Sequence, residues 1–324
     1  MYMRTKVLII SVLIQMFSSL LTFAQVKFRF SDGIYDQALK KQVENNVSAL
    51  LTEINRADSS NRTLNLAKIK MSKEASERLS MLWRYMPFCC EWENNVQSCV
   101  QDFTGYEIRQ IPVVLKPLDN TYKGESHKEL TISFNKQGII TGVRTSIDNN
   151  SYLALLSGGK ANLDMRMRRE ILKYLEDCRS YYTEKDINAI VKMLGFCSFD
   201  VKKSLTENSE TPVMVSLKKN ECSVKDKQEY LSSLNKYFQQ DGCIVSQISD
   251  IELMRHGGNS YFYGAWFRLQ LYCGDKELQG ATGGYYFLLW DFTEEANPKI
   301  HFSLLFPKKE KYLSPEDFFV PTSR

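Results

Sequence analysis

What constrains this chain most is a change of hydrophobic period that happens twice. Apolar residues first recur every three or four positions, as one helix face requires. They then recur at every second position, as a half-buried strand requires. In the first run a short strand over 26–30 precedes a helix over 35–57, whose Leu39, Val43, Val47, Leu50, Leu51 and Ile54 share a face. Ser72 is placed to cap a second helix that reaches Trp83 and is broken by Met86-Pro87-Phe88. A third helix is expected near 94–102. The period then shortens. Tyr106, Ile108 and Gln110 alternate with Glu107, Arg109 and Ile111, and Leu130, Ile132 and Phe134 alternate with Thr131, Ser133 and Asn135. Lys136-Gln137-Gly138 turns the chain into a returning strand over 139–147, a hairpin in which Gly138 can supply a positive φ.

A link at Ser157-Gly158-Gly159-Lys160 precedes the second run. Its Gly-Lys pair is not a phosphate loop, because Ala154 and Ala161 stand where that motif needs Gly and Ser or Thr. Ile171, Leu175, Cys178 and Tyr182 stripe a helix over 164–182. Thr183-Glu184-Lys185-Asp186 reads as a capping box, with Asp in place of Glu or Gln. It opens a helix carrying Ile187, Ile190, Val191 and Leu194 and stopped by Gly195. Strands are expected near Phe199 and over 213–217. Ser223 then caps a helix with Tyr230, Leu231, Leu234 and Phe238 on one face. Four strands, over 244–255, 261–273, 283–292 and 299–306, finish the run. The expected fold class is α+β with two domains: an N-terminal helix-plus-antiparallel-sheet unit at 25–156 and a C-terminal curved antiparallel sheet wrapped around helices at 162–322.

The start of the chain belongs to neither unit. Arg4 and Lys6 precede an apolar run over 7–23, diluted by Ser11, Gln15, Ser18, Ser19 and Thr22 and closed by Ala24. This is the order of a cleaved secretory signal. Residues 1–24 are expected to be removed and the rest exported to a periplasmic, cell-surface or extracellular place. No later apolar run reaches the roughly 18 residues of a spanning helix, so no membrane span is expected after processing. The formal charge, 42 − 38 = +4, becomes 40 − 38 = +2 once Arg4 and Lys6 are removed. That gives no electrostatic case for nucleic acid. Arg166, Arg168 and Arg169 read as a solvated helix face. The eight cysteines (Cys89, Cys90, Cys99, Cys178, Cys197, Cys222, Cys243 and Cys273) can form disulfides in an exported chain. They form no CxxC pair, and His127, His256 and His301 are scattered, so neither a metal site nor a cofactor is expected. Most of the thiols read as small buried hydrophobes, with one or two bridges.

The helix pair ILKYLEDCRSYYTEKDINAIVKML and the closing strands YYFLLWDFTEEANPKIHFSLLF, with the element order over 171–306, resemble the nuclear transport factor 2-like family, the cystatin-like cone fold. The first half, with Leu82-Trp83, GYEIRQIPV from Gly105 and LTISFNKQGII from Leu130, looks like the partner domain of secreted bacterial proteins of this type. The family hosts isomerases, dehydratases, ligand binders and dimerisation modules, so the resemblance implies a fold rather than a function. Phe196-Cys197-Ser198 replaces the family's acidic DDA, which weakens any transfer of an active site.

Ketosteroid isomerase relatives use a carboxylate base and an oxyanion hole of Tyr and protonated Asp. The resemblance puts Asp200 near the base and Tyr182 near the cavity. It puts Leu288 at the oxyanion acid, where no hydrogen bond can be donated. His301 alternates with Ser303, with Asp291 or Asp200 as a third partner, but spacing alone builds no triad. Tyr286, Leu288, Trp290 and Phe292 share one side of their strand, and Trp266, Arg268, Gln270 and Tyr272 share one side of the next. Tyr286 and Trp290 are expected to face the inside of the cone, with Tyr182 approaching from the helix and Arg268 available to an acidic ligand group. The leading expectation is non-catalytic binding of a small apolar ligand or a protein partner through Tyr182, Arg268, Tyr286 and Trp290. The alternative is a cone-fold isomerase, dehydratase or hydrolase with Asp200 and His301 as candidate catalytic residues. Aromatics and Arg on an exposed sheet face would instead suit a protein interface, including a homodimer through that face.

Overall fold

The computed structural model describes residues 25–101, 104–117, 126–159, 162–193, 224–239, 244–273, 276–278, 284–295, 297–306 and 314–317. The architecture is α+β, and one sheet is strongly curled. In the first half β1 (Lys27–Asp32), β2 (Phe88–Cys90), β3 (Glu93–Gln101), β4 (Gly105–Leu115), β5 (His127–Asn135) and β6 (Ile140–Thr145) form a sheet in the order β1-β3-β4-β5-β6, with β2 on β4. β1 runs parallel to β3, and the other pairs are antiparallel.

Helices α1 (Gln37–Ser59) and α2 (Lys73–Tyr85) cover one face of this sheet. Asp36 accepts from the Ala38 and Leu39 amides and Ser72 from the Ala75 amide, which satisfies N–H groups that the first helical turn leaves open. The α1 stripe Val43, Val47, Leu50, Leu51 and Ile54 is fully buried in one cluster with Phe28, Phe30, Ile108, Ile132 and Phe134. Gly138 takes φ +74° in the β5–β6 turn, and a Cβ there would press on Leu39 and Gln42 of α1. Two asparagines on α1 grip distant backbone. Asn46 exchanges hydrogen bonds of 2.8 and 2.9 Å with Lys70, and Asn55 exchanges two of 2.9 Å with Cys90.

The residues expected as a third helix form β3 instead. The parallel pairing that sets Phe30 opposite Val96 overrides a weak local preference.

In the second half the helices are α3 (Asn149–Ser157), α4 (Asn162–Thr183), α5 (Ile187–Met193) and α6 (Val224–Phe238). The strands β7 (Ile244–Arg255), β8 (Phe262–Cys273), β9 (Lys276–Glu277), β10 (Gly284–Asp291) and β11 (Lys299–Phe306) pair antiparallel in the order β11-β10-β8-β7, with β9 on β8. α3 has no counterpart in the periodicity and is capped by Asp148 at the Ser151 amide. Thr183 does not cap α5. It ends α4, and the Asp186 carboxylate accepts from the Ala189 amide instead. The apolar stripe of α4 (Ile171, Leu175 and Tyr182) packs with Tyr263, Leu269, Tyr286, Leu288 and Trp290 in a second core, which begins at Ile147. The first core ends at Val143.

The strands expected near Phe199 and over 213–217, and the helix ends at Gly195 and Ser223, lie outside the described residues. Among the described residues Cys89, Cys90, Cys99, Cys178 and Cys273 form no disulfide with one another; Cys197, Cys222 and Cys243 lie outside the described residues. Among the described residues no helix is long and apolar enough to cross a membrane, and no cluster of His, Cys, Asp and Glu could hold a metal ion.

Candidate functional site

α4 is buried on two sides. Its apolar stripe faces the second sheet, as the spacing requires. Its charged side meets the outer face of the first sheet and α2. The strand register slips between Ile108 and Ile111, with Gln110 at φ +63°. Bulges of this kind re-aim side chains, and here Glu107, Ile108 and Arg109 are buried in succession. Arg109 and Arg144 converge on Glu176, with Arg109 Nη2 2.6 Å from Oε1 and Arg144 Nε 2.9 Å from Oε2. The Ile147 amide donates to the same carboxylate at 2.8 Å. Arg144 also pairs with Glu107 and donates to Ser133 Oγ at 2.7 Å.

Burial by itself would raise both carboxyls. Arg144, Lys173 and Arg109 outweigh it at Glu107 and pull that group down to about 2. Arg109 and Arg144 likewise hold Glu176 below the usual carboxylate range. Both acids are therefore ionised in the interior, where an ionised carboxylate survives only when paired.

A second clamp joins α2 to the end of α4. Arg78 donates to Glu184 at 3.0 Å and lies 3.3 Å from Asp177, with its guanidinium 4.7 Å from the Tyr181 ring centre. Burial dominates at Glu184 and raises its carboxyl to about 7 even against Arg78, and neighbouring Asp177 and Asp186 push the same way.

Beside this junction α4 packs over β7 and leaves the β10–β11 side of the second sheet to a groove of about 650 Å3. Glu170, Lys173, Tyr174 and Asp177 form one wall, since spacings of three and four place them on one helix face. Trp290 and Ile300, opposite one another across β10 and β11, form the floor, and Lys299 adds a second ammonium. The Trp290 ring meets Tyr174 edge-on at 5.1 Å and stacks on Phe292 at 5.6 Å. Trp290 is 4% exposed, and its buried Nε1 donor has no hydrogen-bond acceptor among the described residues.

Tyr182, Tyr286 and Trp290 share the inner cluster, and of the three only Trp290 reaches the groove. Tyr286 stacks on Phe267 at 5.2 Å. Arg268 is on the opposite face: Phe267 and Leu269 on either side of it point into the core, while Arg268 lies 5.9 Å over Tyr285. It cannot anchor a ligand beside Trp290. The face it shares is not an exposed aromatic surface either, because Trp266 is 1% exposed, packs on Phe287 at 5.2 Å, and neighbours a Gly264 that abuts Pro315.

Arg168 does not sit on a solvated face. It is buried beside Asp164 at 3.2 Å and donates to the Leu155 carbonyl at 3.1 Å. Leu288 is core. Asp200 lies outside the described residues, as do the side chains of His301 and Ser303. The β10–β11 register shifts there, with Ile300 opposite Trp290 and Phe302 opposite Leu289. Tyr174, Lys173 and Asp177 were not legible as site residues because they fall off the apolar stripe of α4. The signal available was their own spacing.

Comparison with protein-family models, curated proteins and solved structures finds no match. What the groove can do follows from its lining. An aromatic and aliphatic floor removes apolar surface from water. Two carboxylates and two ammoniums on the lining cancel, so the field favours neither an anion nor a cation.

Proposed function

We propose that this is an exported, non-catalytic binding protein that holds a small, mainly apolar ligand of no strong net charge beside Trp290. The observation that carries this reading is the groove. Its volume, about 650 Å3, falls within the roughly 300–1,000 Å3 of ligand pockets, which are lined mainly by apolar and aromatic groups with a few polar ones. The proposal includes a nuclear transport factor 2-like second half, supported by the helix pair and closing strands quoted above. It also includes removal of residues 1–24, supported by their charge, apolar run and terminal Ala24.

Native mass spectrometry of gently purified protein is the direct test, and a stoichiometric small molecule that leaves on denaturation is the expected result. Protein that carries nothing, and that leaves the fluorescence of the neutral apolar dye N-phenyl-1-naphthylamine unchanged, contradicts the binding role. N-terminal sequencing of exported protein should begin at or near Gln25, whereas an intact Met1 on membrane-embedded protein opposes export by cleavage.

A further inference from the structure

Two of the α4 residues that wall the groove also hold the first half of the chain. Lys173 Nζ lies 4.0 Å from Glu107 Oε1, and Asp177 Oδ1 lies 3.3 Å from Arg78 Nη2. Their side chains are 21% and 23% exposed, whereas Glu107, Glu176 and Arg144 beyond them are at most 4% exposed. Lys173 and Asp177 therefore stand on the border between the groove and the buried ionic junction.

From this shared wall we infer that the groove is a regulatory site, in which a seated ligand tightens the clamp between the two halves of the chain. The inference rests on the binding reading above. Beside the inward arrangement that the structure shows, each border side chain is inferred to have an outward one. Turned inward, Lys173 adds its charge to those of Arg144 and Arg109 around Glu107, and Asp177 shares Arg78 with Glu184. Turned outward, each occupies the space of the groove. The outward turn is within reach because Glu107 keeps two arginines and Arg78 keeps Glu184. A mainly apolar ligand fits only when both side chains are turned inward. It offers them no polar partner and fills the space into which they would swing. A ligand that binds one arrangement and not the other shifts the population toward the one it binds, and the linkage is reciprocal. Loosening the junction must then weaken the ligand.

The test uses the full exported chain and N-phenyl-1-naphthylamine. Hydrogen exchange with and without the dye is expected to slow at 170–177 and 299–301, which marks the groove, and also over α2 and β4, which do not line it. Arg78→Gln and Glu107→Gln, neither in the groove lining, are expected to weaken dye binding about fivefold or more. Protection confined to the groove segments, with dye affinity in Glu107→Gln within about twofold of wild type, leaves binding standing and overturns the coupling. Absence of protection at the groove removes the binding reading and this inference with it. Should Arg78→Gln fail to fold, the exchange experiment on the unaltered chain and the Glu107→Gln titration still decide.

Discussion

Trp290 shows how one side chain serves both the core and the groove. Its ring packs between Tyr174 and Phe292, and little of it is exposed. Trp290→Ala should cost about 3–5 kcal/mol of stability, the range for truncated core aromatics, and chemical denaturation reads this directly. A melt that matches wild type would show that the ring is a loosely held part of the lining. The inward side of Trp290 was legible from strand alternation. Asn46 and Asn55 were not legible in the same way. They sit among the apolar positions of α1 as apparent interruptions, and their partners Lys70 and Cys90 lie 24 and 35 residues away. No local pattern announces a side-chain amide that completes a distant backbone.

Among the elements, α4 carries the most. Its carboxylates accept from three arginines of the first half, with Glu176 at the centre. Glu176→Gln keeps the shape and removes the charge, leaving Arg109 and Arg144 short of a counter-ion in a buried place. The expected loss is about 3–5 kcal/mol, measured by urea unfolding. A variant within about 0.5 kcal/mol of wild type, the range of a neutral surface substitution, would place these arginines in water.

The same junction makes stability depend on pH with opposing signs. Glu107, held down to about 2, contributes stability that is complete above its unfolded value of 4.5 and is lost as pH falls toward 2. Glu184, raised from 4.5 to about 7, acts the other way. Between those values the unfolded chain has released a proton that the folded chain still binds, so stability falls as pH rises from about 4.5 to 7. Glu184→Gln should flatten that fall in melting temperature, and an unchanged slope would remove Glu184 as its source.

At the scale of the whole molecule, the ionic junction decides how the halves behave when the chain between them is cut. The first core ends at Val143 and the second begins at Ile147, ahead of the link at Gly158-Gly159; the two cores meet through Arg78, Arg109 and Arg144 on one side and Glu176, Asp177 and Glu184 on the other. A chain nicked at that link should elute as one species in native size-exclusion chromatography. It should separate into two near pH 2, where Glu107 takes up its proton. Separation at neutral pH would mean that the covalent link, not the junction, holds the halves together.

What can be read along the chain is local. It includes the α1 and α4 stripes, the Ser72 cap, the turn at Gly138 and the meander that closes the chain, because each is written in neighbours a few residues apart. Burial of the polar side of the first sheet comes from long-range packing. Alternation says that Glu107, Arg109, Ser133 and Arg144 are set apart from the apolar side, but not what covers them, and α4 brings matching charge from the other half of the chain. The groove has the same origin. It exists where α4 crosses β7 and stops short of β10 and β11, and the placement of a helix over a sheet is set by the packing of both cores together.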